Sequence, residues 1–288
     1  YDGDGDIDLY AGSYDPASSS YKHFLFNNEM GKFTDVTKDA GLNHSGNEAS
    51  ATFADFDNDG FSDLFVMKEG GDLLYRNTGK GTFENVTDKS KAGSRTGGKK
   101  ALFFDMDHDG DLDLFEILPN SNLFLRNNSD GTFEDQSAKL GPQNGGIIST
   151  GAAFGDFDDD EDIDFIVVSK NSGISLYSNQ RQGVFKDIAA ESGLKGYEGA
   201  GAIAVGDYNN DGYLDLFIGS VTKGNFGLLK NLRNGTFEKE KNNAEMLRSL
   251  ETMNVYDASF LDFNNDGYLD LFVAGESQEK NGRGINLF

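Results

Sequence analysis

The sequence predicts an all-β chain, a β-propeller built from four-stranded antiparallel blades. Three observations predict it. An acidic pattern recurs six times along the 288 residues. A second pattern, Asn followed by Gly four residues on and Phe six residues on, recurs five times in fixed phase with the first. Between them lie short runs with the period-two alternation of strands. Repeats of this length with four strands each are propeller blades; the repeats of a β-helical solenoid are shorter.

The acidic copies are Asp2–Asp8, Asp55–Asp63, Asp105–Asp113, Asp156–Asp164, Asp207–Asp215 and Asp262–Asp270. From the second copy onward the starts are 50, 51, 51 and 55 residues apart. Aligning Asp8 with Asp63 places the opening Asp of copy one just before Tyr1. The second pattern comprises Asn27, Asn77, Asn127, Asn179 and Asn231. Their glycines are Gly31, Gly81, Gly131, Gly183 and Gly235, and their phenylalanines Phe33, Phe83, Phe133, Phe185 and Phe237.

Each repeat reads as four strands. The first runs into the acidic loop with small and large residues alternating on one face, as in Ala51 and Phe53, Ala101 and Phe103, Ala152 and Phe154, Ile203 and Val205, and Ala258 and Phe260. This is what a crowded inner strand needs. The second leaves the loop at Asp63, Asp164 or Asp215. The third ends at the turn Asn, as in Leu73-Leu74-Tyr75-Arg76, and the fourth carries the Gly-x-Phe, as in Thr82–Val86. Four blades are complete, the first lacks its first strand and the last lacks its last. The expectation is one propeller domain over 1–288, a fragment of a longer chain that closes with seven or eight blades.

Composition narrows function. Net charge is −24, and a polyanion such as nucleic acid would be repelled. Aromatic residues make up 12% of the chain, which with the regular repeats separates it from disordered acidic sequences. There is no Cys, so neither a disulfide framework nor thiol catalysis is available. No apolar run approaches the ~18 residues that cross a bilayer, so membrane insertion is not expected. No leader segment is read, and copy one begins inside a repeat, so this carries no information on location.

The acidic loops are read as oxygen-only cation cages. Positions 1, 3 and 5 hold Asp or Asn, position 6 Gly and position 9 Asp, as in Asp55, Asp57, Asp59, Gly60 and Asp63. Gly60 permits a sharp turn with positive φ, which lets the carbonyl of Phe61 at position 7 face the ion. Six to eight hard oxygens suit Ca²⁺, one ion per repeat, better than Mg²⁺. The ligands assigned on this scheme are Asp2, Asp4, Asp6 and Asp8; Asp55, Asp57, Asp59, Phe61 and Asp63; Asp105, Asp107, Asp109, Asp111 and Asp113; Asp156, Asp158, Asp160, Asp162 and Asp164; Asp207, Asn209, Asp211, Tyr213 and Asp215; and Asp262, Asn264, Asp266, Tyr268 and Asp270. An EF-hand is rejected, because position 12 holds Val66, Glu116, Val167, Ile218 or Val273 and a strand follows. The loops carry 26 of the 49 acidic residues, and without cations they would repel themselves. Asn209 and Asn264 lower the charge of copies five and six. Glu161 stands where Gly is expected, so copy four should be distorted or bind less tightly. His108, at position 4, points outward and is not a ligand.

These residues resemble the FG-GAP/VCBS repeat family, related to the propeller of integrin α subunits. The stretch Gly31–Leu42 is most similar to bacterial secreted members and to the cartilage acidic protein group, although the ASPIC/UnbV segment common there is missing. The resemblance implies a secreted or cell-surface location, Ca²⁺ in the hairpin loops, and roles in adhesion or recognition.

The functional expectation is an extracellular or surface scaffold that binds protein or carbohydrate on the face opposite the calcium loops. Variable connections lie on that face: Gly12–Lys22, Asn43–Ser50, Gly141–Ser149 and Glu240–Asp257. The last holds Met246, Leu247, Leu250 and Met253 at helical spacing, either a short recognition helix or a packing plug. The alternatives are a structural subunit of a surface assembly and a polysaccharide-degrading enzyme. His23, His44 and His108 fall at unrelated repeat positions, so no shared catalytic base emerges and no catalytic residue is assigned.

Overall fold

The computed structural model describes residues 1–93, 98–118, 121–140, 148–181, 184–222, 226–241, 246–277 and 282–287. Two compact units contain them. The first comprises Tyr1–Asp105, Asp109–Leu118 and Leu123–Ser137, the second Met106–His108, Pro119–Asn122 and Ala138–Phe288.

The described residues form six antiparallel sheets in sequence order, as a repeat propeller requires. The first is β1 (Leu9–Asp15), β2 (Ser20–Glu29) and β3 (Lys32–Asp35). The second is β4 (Glu48–Ala54), β5 (Asp63–Lys68), β6 (Leu73–Asn77) and β7 (Phe83–Asn85). The third is β8 (Lys100–Phe104), β9 (Asp113–Ile117), β10 (Asn122–Asn127) and β11 (Phe133–Asp135). The fourth is β12 (Ser149–Gly155), β13 (Asp164–Ser169), β14 (Gly173–Asn179) and β15 (Phe185–Asp187). The fifth is β16 (Ala200–Gly206), β17 (Asp215–Ser220), β18 (Gly227–Asn231) and β19 (Phe237–Lys239). The sixth is β20 (Met253–Leu261), β21 (Asp270–Ser277) and β22 (Gly282–Leu287). The three-stranded first and sixth sheets are the two that the sequence leaves incomplete.

Apolar side chains of adjacent sheets interlock. In the first unit Leu25, Leu42, Leu64, Val66 and Phe83 form one buried cluster, and Phe56, Phe65, Leu74, Leu114 and Phe133 another. In the second unit Ile166, Leu176, Ile203, Leu216 and Phe237 pack together, as do Phe217, Leu228, Leu250, Val255 and Val273. The middle strands β5, β9, β13 and β17 are covered on both faces, and their central residues are apolar except for Glu116 of β9. The first strands do not bury their larger residues uniformly: Ile203 is buried, whereas Phe53 and Phe154 keep an exposed edge.

The turn Asn fastens one repeat to the one before it. The Asn127 side-chain amide donates to Leu112 O (3.1 Å) in its own loop and to Phe56 O (2.7 Å) in the preceding one. Asn77 does the same with Ser62 O and Tyr1 O, Asn179 with Ile163 O and Met106 O, and Asn231 with Leu214 O and Phe157 O. Each Asn Oδ1 accepts the backbone N–H two residues on, so the buried amide is fully used. An aromatic pair supports three of these four joints, Tyr1 on Phe83, Phe56 on Phe133 and Phe157 on Phe237, while Met106 takes the ring's place at the Asn179 joint. Copy one departs from the spacing. There Asn28, not Asn27, bonds the loop, through Ile7 O (2.9 Å), because its hairpin pairs Asn28 with Phe33 and is one residue tighter.

The connections after the fourth strands also repeat. The hydroxyls of Thr37, Thr87 and Ser137 accept the backbone N–H of Leu25, Leu74 and Phe124. Gly193 has φ +77, and a Cβ there would meet Phe237 O at 2.7 Å, so this connector admits only glycine.

Among the variable connections, Gly12–Lys22 is no loose loop: β1 and β2 extend through it as a hairpin, closed by Asp15, which accepts from Ala17 N and pairs with Lys22 Nζ (2.9 Å). The Met246–Thr252 segment is a 3₁₀ helix whose Leu247 and Leu250 are buried in the cluster around Phe217. Of the two readings left open by the sequence, the packing plug is the one observed. Within Gly141–Ser149, residues 141–147 lie outside the described residues, as do 242–245 of Glu240–Asp257.

Asn231→Ala strips partners from two buried carbonyls at once. It is expected to cost about 2–4 kcal/mol, whereas Asn234→Ala in the exposed turn should cost less than about 1 kcal/mol. Urea denaturation of the two variants checks this, and equal midpoints would contradict it.

Candidate metal centre

Each acidic loop is a chain of carboxylate-capped turns. The Asp at position 1 accepts two backbone N–H groups from positions 5 and 6. Asp59 N and Gly60 N reach Asp55 at 3.1 and 2.9 Å, and Asp266 N and Gly267 N reach Asp262 at 3.0 and 2.8 Å. Asp105, Asp156 and Asp207 are held in the same way. The Asp at position 5 accepts the N–H of position 7, as Asp59 does from Phe61 (3.0 Å). These bonds wind the loop so that its remaining oxygens turn inward.

Two positive-φ residues, at positions 4 and 6, make the winding possible. Position 6 is left-handed in every copy, from Gly5 to Gly267. Position 4 is also left-handed, at Asn58, His108, Asp159, Asn210 and Asn265. Asn and Asp tolerate this region best among non-glycine residues, so the Asn-Asp-Gly triplet carries a signal that the sequence reading did not use. Glu161 takes φ +71 with its N–H on Asp156 Oδ2 (3.0 Å), and Asp162 N reaches Asp160 at 3.0 Å. The copy-four loop is therefore not distorted; the backbone pattern imposes itself on Glu161.

The Asp at position 9 is the anchor. Asp63 is buried and accepts Phe56 N (3.0 Å) from the loop start and Asn77 N (2.7 Å) from the turn. Asp164 accepts Phe157 N and Asn179 N, and Asp113 and Asp215 accept Asn127 N and Asn231 N. Carboxylate oxygens of Asp55, Asp57 and Asp63 come within 4.8 Å of one another, and so do those of Asp156, Asp158 and Asp164. Positions 1, 3 and 9 thus converge. In copy three, Met106–His108 belong to the second unit and the rest of the loop to the first.

Electrostatics and hydrogen bonding both leave room for a cation. Burial and the neighbouring loop carboxylates push Asp63 and Asp164 up to about 7 and Asp215 up to about 6, against the hydrogen bonds each accepts. Burial and like charges raise Asp57 and Asp158 as well. At position 3, Asp57 Oδ1, Asp158 Oδ1 and Asn209 Oδ1 are buried and accept no hydrogen bond. At Asp57 and Asp158 the unsatisfied acceptor belongs to a cluster of three carboxylates, whereas the Asn209 amide nitrogen donates to Asp215 Oδ2 (2.7 Å). The donor set is oxygen only, which fits a hard divalent ion. The residues that would hold it are those at positions 1, 3 and 9.

Other assigned positions do different work. At position 7, Asp6 accepts Met30 N (2.7 Å), Asp111 binds Asn58 Nδ2 (2.6 Å) and the Ser129 hydroxyl, and Asp162 pairs with Arg181 (2.8 Å). These carboxylates tie the loops to neighbouring turns. Tyr213 meets Arg233 in a cation–π contact, 5.3 Å from guanidinium to ring centroid. At position 5, Asp109 and Asp211 turn an oxygen to Arg126 (2.5 Å) and Lys230 (3.0 Å), and Lys230 holds Asp211 below its ordinary value. The basic residue preceding the turn Asn escaped the sequence reading. His108 is exposed and lies 3.9 Å from Asp162, outside its own loop.

His23 and His44, unrelated in repeat position, are brought together. Their rings stack at 3.8 Å with planes 4° apart, beside Glu48 and the hydroxyl of Tyr10. Burial, then His44, pushes His23 below its ordinary value.

A family model described as an FG-GAP-like repeat matches four times in tandem, over residues 1–66, 55–116, 105–167 and 156–218. No curated protein matches significantly. Among solved structures, an Agrocybe aegerita lectin described as recognising non-reducing terminal N-acetylglucosamine is 17% identical, with a TM-score of 0.54, over 97% of this chain and 79% of the lectin. A triple arginine-to-alanine mutant of AofleA from Arthrobotrys oligospora is 10% identical, with a TM-score of 0.50, over 98% of this chain and 83% of that one. At these identities the likeness is one of fold.

Two outcomes are expected. Metal-free protein should lose stability as pH rises from about 4 through 7. The folded-state values of Asp63 and Asp164 lie above the 3.8 of a free Asp, so folding takes up protons and is favoured on the acid side. Saturating Ca²⁺ should abolish that slope, because the ion replaces the protons. Thermal melts at several pH values with and without Ca²⁺ read this directly; a metal-free protein that gains stability over the interval would refute it. Separately, Glu161→Gly should stabilise by about 1–2 kcal/mol by removing left-handed strain, seen as a higher urea midpoint.

Proposed function

The chain belongs to the FG-GAP-like repeat family, and from that premise we propose that it is an extracellular Ca²⁺-loaded scaffold that binds carbohydrate. One observation carries the proposal: the buried, unsatisfied oxygen at position 3 recurs at Asp57, Asp158 and Asn209, each within an acidic loop fastened to its neighbour through the turn Asn. An ion at each such place neutralises the carboxylates where the repeats join, so cation supply and rigidity of the sheets are coupled. Millimolar Ca²⁺ outside cells matches the affinity of about 10⁻⁴–10⁻³ M typical of extracellular modules. No helix among the described residues is long and apolar enough to cross a membrane.

The recognition surface lies at the ends of the sheets away from the acidic loops, where the extended hairpin of β1 and β2 and the connectors after the fourth strands present side chains on a rigid frame. Near His23 a cleft of roughly 410 Å³ is walled by Tyr21, Asp35, Asp39 and Asn43. Aromatic faces beside carboxylate and amide groups are what a sugar ring needs for stacking and hydroxyl recognition. The fold shared with a lectin that recognises N-acetylglucosamine supports carbohydrate over protein as the ligand class. The acidic groups have structural work in the loops, which supports a binding role over catalysis.

A glycan array probed in 2 mM Ca²⁺ and again in EGTA tests the reading (about twice the upper affinity quoted for such modules). Saturable binding that EGTA abolishes is the expected result. Ca²⁺-loaded, folded protein that binds no glycan would overturn it.

A further inference from the structure

We propose that His23, His44 and Glu48 form a second cation site, unlike the acidic loops and suited to Zn²⁺ or a metal of its class. Glu48 Oε1 lies 2.7 Å from His44 Nε2 and 3.3 Å from His23 Nδ1. The three side chains are almost wholly buried, at 7%, 5% and 9% exposure. Among the described residues the ion-pair partners of Glu48 are these two imidazoles, with no Lys or Arg. A buried carboxylate so placed needs a cation.

The outer partners fix which nitrogens face inward. His23 Nε2 is 3.2 Å from Leu42 O, an atom that can only accept, so Nε2 carries the proton and a neutral ring points its Nδ1 lone pair at Glu48. His44 Nδ1 is 3.0 Å from the Tyr75 hydroxyl, which leaves Nε2 on the Glu48 side. A backbone carbonyl and a phenol behind the two rings are the kind of support that orients metal-binding histidines. Tyr10 contributes a further oxygen, donating to Glu48 Oε2 (3.0 Å) and lying 3.2 Å from His44 Nε2. Two nitrogens and carboxylate oxygen with a free fourth position is a zinc donor set; Ca²⁺ takes oxygen alone.

Both histidines line the cleft that also holds Asp35 and Asp39, an acidic approach for an ion. The blade fold does not require the cluster. Copy four repeats Gly41-Leu42 as Gly193-Leu194, yet has Gly196 where copy one has His44. The rings stack with planes 4° apart, so their lone pairs run side by side. A shared metal must turn one ring out of the stack, and that rotation can be read.

The test uses the full chain saturated with Ca²⁺, so that failure of the acidic loops is a separate result. Zn²⁺ titrated calorimetrically should bind once per chain, and the ring-proton NMR signals of His23 and His44 should both move. His44→Gln and Glu48→Gln should each weaken binding by at least about tenfold, while Lys80→Ala leaves it unchanged. Absence of a one-to-one Zn²⁺ site would overturn the proposal, as would affinity untouched in both variants. Ring signals that respond to pH but not to Zn²⁺ would assign the cluster to a proton instead. The NMR measurement on the unaltered chain decides the matter even where a variant fails to fold.

Discussion

A buried aspartate at the end of four of the acidic loops constrains everything around it. Asp63, Asp113, Asp164 and Asp215 stand at the first residue of a middle strand, and each accepts the N–H of the turn Asn that ends the next strand. In copies two and four the second oxygen takes the N–H of position 2 as well. One carboxylate thereby sets the start of the loop, the start of a strand and the end of its partner. Hydrogen bonds lower the cost of burying that charge but do not remove it, and burial still pushes Asp63 and Asp164 up to about 7. Two further aspartates converge on the same place, which worsens the repulsion. A proton or a cation among those oxygens would relieve that repulsion.

The joint between repeats uses the same few atoms. The turn Asn that donates its backbone N–H to the anchor sends its side-chain amide to two carbonyls, one in its own loop and one in the loop before. Where the position-2 residue offering that second carbonyl is aromatic, it also lays its ring on the Phe of the Gly-x-Phe, as Phe56 does on Phe133. The loop and the neighbouring sheet therefore share a joint, and a cation held by one would bear on the other.

Departures from the repeat show which parts of the pattern are obligatory. Glu161 adopts the left-handed conformation meant for glycine and the loop keeps its hydrogen bonds, so loop geometry prevails over local preference. Asn28 replaces Asn27 because hairpin register, not sequence spacing, decides which amide reaches the loop. The position-7 carboxylates of Asp111 and Asp162 point to Asn58 and Arg181, where they join turns to one another.

The sequence by itself determined the repeat, the strands and the anchor, because a period-two pattern and a loop with fixed Asp and Gly positions are local constraints that each copy restates. It also determined that carboxylates gather, since Asp55, Asp57 and Asp63 lie within nine residues. The tertiary structure decided what distant residues share. Asn127 reaches Phe56 across 71 positions, and His23 meets His44 because the connector folds back over β2. The first contact recurs with the repeat but joins two different copies; the second has no periodic signature. Side-chain direction at position 7 and the fate of the helical spacing near Leu250 depended on which surface lay opposite, and only packing supplies that surface.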